Sequence, residues 1–133
     1  MEKRIIKLLL VDGHNLFREV LKEAIESTFE ELGGSSELQV VQKSNGLEAK
    51  KAILEGLCPD VVMADNQMPE LSGMGLIEFI VSRGDIKHIF LLTLYDSEEL
   101  SLEVGIRGAK VISKFSISGR EELKKFVEFL ASL

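Results

Sequence analysis

Asp12, Asp65, Thr93 and Lys114 each stand at the end of a short, largely apolar run, and they come from four segments far apart in the chain. Asp12 follows Leu8-Leu9-Leu10-Val11, Asp65 follows Val61-Val62-Met63-Ala64, and Thr93 follows Ile89-Phe90-Leu91-Leu92. Lys114 closes the run that begins at Lys110. Each alone has a plain structural role. Either aspartate caps a following turn, the threonine ends a strand, and the lysine is a solvated surface charge. Together, two carboxylates, a hydroxyl and an ammonium make a site for handling charge, provided that the fold gathers them.

The elements that would gather them are legible from periodicity. Strands are expected over Ile5–Val11, Leu38–Gln42, Asp60–Ala64, Ile89–Leu92 and Lys110–Ile112. Several are continuously apolar, as strands are when helices cover both faces of a parallel sheet. Between them lie helical periods. Phe17, Val20, Leu21, Ala24, Ile25, Phe29 and Leu32 recur at three- and four-residue spacings and stop at Gly33-Gly34. Asn45-Gly-Leu-Glu48 reads as a capping box for a second helix carrying Ala49, Ala52, Ile53 and Leu57. A third runs from about Gly73 to Ser82, and a fourth, capped by Asp96, from Ser97 to about Ile106. Ser118-Gly-Arg-Glu121 reads as a further capping box for a last helix with Leu123, Phe126, Val127 and Leu130 inward. The order βαβαβαβαβα predicts a doubly wound α/β fold with right-handed crossovers. Ligands of such sheets bind beyond the carboxyl ends of the strands, which is where all four polar residues fall.

Composition narrows the class. With 133 residues, 45% of them hydrophobic, the chain fits one domain with one sizeable core. A net charge of −6 argues against a nucleic-acid or anionic-membrane surface. No apolar stretch approaches the roughly 18 residues of a membrane span, and Met1-Glu2-Lys3-Arg4 does not open a secretory signal. Cys58, the single cysteine, is expected to be a small buried hydrophobe in a reducing, cytoplasmic setting.

Val11-Asp12, Pro59-Asp60-Val61-Val62-Met63-Ala64-Asp65, Asp65-Asn-Gln-Met-Pro69 with Ser72-Gly73, Leu92-Thr93, and Gly108-Ala109 leading to Lys114 resemble the receiver domain of two-component response regulators. The likeness covers nearly the whole chain, residues 1–133. It implies a flavodoxin-like five-stranded parallel sheet of order 2-1-3-4-5. It also implies that Asp65 accepts a phosphoryl group from a histidine kinase, a phosphotransfer protein or a small phosphodonor. Mg²⁺ would be held by Asp12, Asp65 and the backbone carbonyl of Gln67. Lys114 would pair with a phosphoryl oxygen, and Thr93 would move to bond another. The chemistry suits these residues, because phosphoryl transfer needs mainly positioning and charge neutralisation. An effector or a second copy would bind the face of the fourth helix, fifth strand and last helix, with Leu100, Val104 and Phe129 as exposed apolar candidates.

The chain departs from that pattern at several points. The family carries two acids after the first strand, whereas Asp12 is followed by Gly13. One carboxylate about 4 Å from a dication is worth roughly 4 kcal/mol per unit charge at an effective dielectric of 20, before water replaces it. Metal affinity is therefore expected to be weak. Gly13 is also a position where a positive φ would be accommodated. Phe115 stands where the family has proline, often with a cis bond, so a trans peptide or a rearranged loop is expected. The usual aromatic switch position falls near Val111, and Tyr95 is the candidate substitute. Ala64 and Leu94 differ in size from the common choices beside the site.

Two functional readings remain open at this stage. One is a phosphorylatable receiver with no activity beyond self-phosphorylation and autodephosphorylation. The other is a degenerate receiver that binds partners independently of phosphorylation. A haloacid-dehalogenase-like phosphatase would need a second acid where Gln67 stands, and a flavin carrier would need a phosphate-cradling loop after the first strand. His14 is expected to cap or flank the first helix at the rim of the site. His88 has no evident partner, and Met63, Met68 and Met74 read as packing.

Overall fold

The computed structural model describes residues 3–133. Five strands, β1 (Ile5–Val11), β2 (Glu37–Lys43), β3 (Val61–Asp65), β4 (His88–Thr93) and β5 (Lys110–Ser113), form one parallel sheet of order β2-β1-β3-β4-β5. Six helices accompany them: α1 (Asn15–Leu32), α2 (Gly46–Leu54), α3 (Gly73–Arg83), α4 (Glu98–Ile106), α5 (Lys114–Ile117) and α6 (Arg120–Ala131). The fold is the doubly wound one that the strand pattern predicts, with the flavodoxin-like strand order that the resemblance implies. The short α5 is an addition to it.

Alternation along the strands divides the core in two. Ile6, Leu8, Leu10, Val61, Met63, Phe90 and Leu92 face α1 and α6, where Leu21, Ile25, Phe29, Phe126, Val127 and Leu130 close the layer. Leu9, Val11, Val62, Ala64, Ile89 and Leu91 face α2, α3 and α4, through Ala49, Ile53, Leu76, Ile77, Ile80 and Val104. Both faces of the central strands are therefore dry, which is why β1 and β3 carry unbroken apolar runs.

Helix ends follow local chemistry. Gly33 ends α1 in the left-handed region at φ 65°, where its N–H reaches the Glu30 carbonyl. Asn45 Oδ1 accepts from the Glu48 N–H at 2.8 Å and starts α2. Glu48 reaches back to the N–H and hydroxyl of Ser44, not to Asn45, so the reciprocal half of the box lies one residue earlier than expected.

Several expectations need correction. Ser97, not Asp96, caps α4, accepting from the Leu100 N–H at 3.1 Å, while Asp96 instead accepts from the Ser101 hydroxyl. No capping box forms at Ser118. Its hydroxyl donates to the Lys114 carbonyl at 2.7 Å to close α5, and Gly119 stands at the N-cap of α6 with no side-chain hydrogen bond. Cys58 is exposed rather than buried, since it sits in the turn between α2 and β3. Val104 is fully buried under α4, and Leu100 and Phe129 are half-buried. The apolar residues left in water around this face include Leu94, Tyr95, Leu102, Ile106 and Phe115. His88 has a partner after all: its ring meets Phe129 edge-on at 5.2 Å. No helix among the described residues is long and apolar enough to cross a membrane.

Candidate functional site

Strand register alone sets Asp12 and Asp65 at one level, with Thr93 one residue further along. Val11 pairs with Ala64, so Asp12 and Asp65 leave adjacent strands at the same height, roughly 5 Å apart in the pairing direction. Asp65 pairs with Leu92, and Thr93 pairs with Ser113, so Lys114 emerges one residue beyond the same edge. Asp65, Thr93 and Lys114 line a cleft of about 390 Å³ whose walls include His14, Asn66, Pro69 and Tyr95.

Asp12 is completely buried. Its Oδ1 accepts from the His14 N–H at 2.8 Å. The guanidinium of Arg18 holds its backbone carbonyl at 2.5 Å and also reaches Asn15 Oδ1 and Gln42 Oε1. Oδ2 has no hydrogen-bond donor aligned on it. The Lys114 ammonium lies 2.8 Å from it, at ion-pair distance but without hydrogen-bond alignment, and 3.3 Å from Asp65 Oδ1. The lysine, only 8% exposed, is the cation that makes two close carboxylates tolerable here. Asp65 still has its pKa raised. Burial is the main cause and the neighbouring Asp12 charge the second; Lys114 and the Gln67 N–H pull the other way.

Around this centre the helices supply position. His14 Nδ1 accepts from the Phe17 N–H at 3.2 Å and caps α1, the role its place in the sequence predicts. The Ser72 hydroxyl caps α3, and Gly73 lets that helix approach β3 so closely that a Cβ there would stand 2.3 Å from the Asp65 carbonyl. Ser113 caps α5, so Lys114 occupies the first position of a short helix. No peptide among the described residues is cis, as the Phe115 substitution predicts. Gly13 does not hold a positive φ, contrary to expectation, but a Cβ on it would lie 3.3 Å from the Ser44 carbonyl. Thr93 is buried, and its hydroxyl is occupied: it accepts from the Tyr95 N–H at 3.1 Å and is 3.3 Å from the Tyr95 carbonyl. The Tyr95 ring is 77% exposed, while Val111 is half-buried in β5.

The fold agrees with what the chain matches. The family model described as response regulator receiver domain covers residues 8–128. The chain belongs to that family. Among curated relatives, this receiver is 31% identical over 104 residues to the transcriptional regulatory protein YdfI of Bacillus subtilis, covering 78% of the chain and 45% of the relative. It is 29% identical over 117 residues to the DNA-binding transcriptional activator DevR/DosR of Mycobacterium tuberculosis, covering 88% and 51%. The chain thus spans about half the length of the curated relatives it matches. Among solved structures, it is similar to the signal receiver domain of the response regulator NarL from Mycobacterium tuberculosis. The TM-score is 0.76, with 26% identity and 98% of both chains covered. The receiver domain of the Francisella response regulator 1452 gives 0.72 and 25%, with 96% and 97% covered.

Receivers of this family are associated with Mg²⁺, and the residues present admit such an ion. An unaligned, buried carboxylate oxygen on Asp12 and the half-buried carboxylate of Asp65 are hard oxygen donors of the kind that Mg²⁺ prefers. The donor set is lean, since no group of three or more His, Cys, Asp or Glu side chains comes together among the described residues. Gly13, next to Asp12, adds no carboxylate to it.

Reading the sequence missed two contributors to the site. The spacing of Phe17 places it in the helix core, and its ring also lies under the Lys114 ammonium, 4.7 Å from centroid to Nζ. Arg18 carried no periodic signal, and only the closure of β1 and β2 onto α1 places its guanidinium on the Asp12 carbonyl.

Proposed function

We propose that this receiver, spanning residues 1–133, works in two-component signalling by taking a phosphoryl group onto Asp65. The observation that carries the reading is the Lys114 ammonium held between Asp12 and Asp65, beside a carboxylate that faces an open cleft. In the transfer, an Asp65 oxygen attacks phosphorus and an O–P bond forms. The bond from phosphorus to the donor breaks, and the leaving group departs with its electron pair: imidazole from a phosphohistidine, acetate from acetyl phosphate. Lys114 offsets the charge of the phosphoryl oxygens. Thr93 becomes a donor to a phosphoryl oxygen only by giving up its bond to the Tyr95 carbonyl, which couples occupancy of the site to the segment leading into α4. Asp12, Asp65 and the Gln67 carbonyl would hold Mg²⁺, which when bound neutralises charge on the transferring group.

The phosphodonor is a histidine kinase or a phosphotransfer protein. The output surface is the face of α4, β5 and α6, where Tyr95, Leu102, Ile106 and Phe115 offer apolar contacts to an effector or a second copy. DevR/DosR is by name a DNA-binding activator; for this chain, control of transcription would need a DNA-binding partner or segment outside residues 1–133.

A second reading rests on Gly13 and on the closeness of Lys114 to Asp12. These make a pocket already neutralised by its own lysine and short of one metal ligand, suited to a module that binds partners without phosphorylation. Incubation with acetyl phosphate and Mg²⁺, read by intact mass, separates the two. One added phosphoryl group, lost in Asp65→Asn, is expected from the first reading. An unlabelled protein that still engages its partner would establish the second.

A further inference from the structure

The Lys114 ammonium is fixed from three sides. Asp12 Oδ2 lies at 2.8 Å and Asp65 Oδ1 at 3.3 Å, and the face of the Phe17 ring lies on a third side at 4.7 Å. Phe17 is itself immobilised. Its N–H is bound by His14 Nδ1 in the first turn of α1, and its half-buried ring packs against the core layer beneath α1 and α6. The lysine backbone is equally constrained, in the first turn of α5 between the Ser113 cap and the Ser118 hydroxyl. A ring face carries negative quadrupole potential, and out of water it attracts an ammonium appreciably. The place that this ammonium occupies is against the unaligned Asp12 oxygen, the same atom that offers itself to a divalent ion.

We propose that Phe17 is a positioning residue that holds the Lys114 ammonium against Asp12 as the resident cation of the pocket, so that a divalent ion must compete with the lysine for that carboxylate. In a pocket where Gly13 supplies no carboxylate, this competition sets the metal affinity. The proposal rests on the metal-binding reading given above. Loosening the ammonium from the ring lowers the barrier to metal entry without removing any metal ligand.

The test measures Mg²⁺ dissociation constants for the purified chain by thermal melts across a Mg²⁺ series, confirmed by NMR titration. The proteins are wild type, Phe17→Leu, Lys114→Met and the double variant, plus a series with one, two and three fluorines on the Phe17 ring. Fluorination preserves the shape of the ring while draining its quadrupole. The expected result is Mg²⁺ binding about three to ten times tighter in Phe17→Leu, equivalent to about 0.7–1.4 kcal/mol. It should tighten stepwise along the fluorine series, and Phe17→Leu should add nothing once Lys114 is Met. An affinity that does not move along the fluorine series overturns the proposal. So does a Phe17→Leu effect that persists in the Lys114→Met background, because the ring would then act through packing alone. If Lys114→Met binds Mg²⁺ more tightly than wild type but Phe17→Leu and the fluorinated rings do not, the role of Phe17 fails and the metal reading stands. If none of the proteins binds Mg²⁺, Lys114→Met included, the metal reading itself fails and takes this proposal with it.

Discussion

The acidic pocket stores an unfavourable charge, and Asp65 reports it. Because its folded-state pKa is raised, chiefly by burial and then by Asp12, the native state binds a proton there more readily than the unfolded chain does. The sign follows: the contribution of this group to stability is fully present below the ordinary carboxylate range and is lost as pH rises through the raised value. Asp65→Asn is therefore expected to melt a few degrees above wild type at neutral pH. The advantage should shrink as pH falls into the carboxylate range; melting curves from acid to neutral pH check it. Lys114→Met removes the opposing cation, so carbon-detected NMR titration of Asp65 should show its pKa raised further. Gly13→Asp tests the missing ligand. With a regular φ at position 13, the only steric demand is a few tenths of an ångström from the Ser44 carbonyl, which Gly13→Ala isolates. The added carboxylate should lower the melting point without metal by like-charge repulsion. It should also tighten Mg²⁺ binding about tenfold, a fraction of the Coulomb energy of one nearby carboxylate. Equal Mg²⁺ dependence of the melts in Gly13→Ala and Gly13→Asp would show that the position does not face a metal site.

Among the elements, α3 is coupled to the site sterically. A methyl group at Gly73 would collide with the Asp65 carbonyl, the Leu91 side chain and Asn66 Cα, at 2.3, 2.6 and 2.9 Å. Two of those atoms are backbone, so the helix must back away from β3. Gly73→Ala is expected to cost roughly 1–3 kcal/mol or more by overpacking, read by urea denaturation, and to shift the Asp65 resonances. An ordinary cap offers the contrast. Asn45→Ala removes the acceptor for the Glu48 N–H and should cost about 1 kcal/mol while leaving the Asp65 resonances in place. The β4–α4 connection behaves differently again. Its Thr93 hydroxyl closes a small ring with the Tyr95 backbone and so links the cleft to the exposed Tyr95 ring.

Over the whole molecule, exposed apolar residues occur on α1, α2 and α3 as well as around α4. Ile106 is 83% exposed, and with Leu102, Tyr95 and Phe115 it leaves a partially apolar surface around α4 and the start of α5, away from both core layers. Ile106→Lys should leave the melting temperature within a degree or so of wild type, because nothing packs on that side chain. It should also weaken self-association or effector capture, measured by sedimentation velocity with and without acetyl phosphate. Retained association would move the interface elsewhere on the surface.

The sequence by itself determined the layer order, the strand order through its resemblance, and the four polar positions at the carboxyl edge. Burial on both faces writes itself as unbroken apolar runs, and β–α connections leave polar residues at one end of the sheet. Local chemistry at His14, Asn45 and Gly33 was legible for the same reason, since a cap is settled within four residues. Only the tertiary structure decided the rest. Ser97 over Asp96, and the α5 turn over a Ser118 box, depend on where the chain must go to join β4 and β5 to their helices. Val104 buried and Ile106 exposed, two residues apart on α4, follow from which side of that helix meets Leu91 and Ala109, because α4 carries apolar residues almost all round. The pairing of Lys114 with Asp12, Asp65 and Phe17 joins residues about a hundred, fifty and a hundred positions apart. No spacing rule reaches across three strands, so such a contact exists only once the sheet has closed.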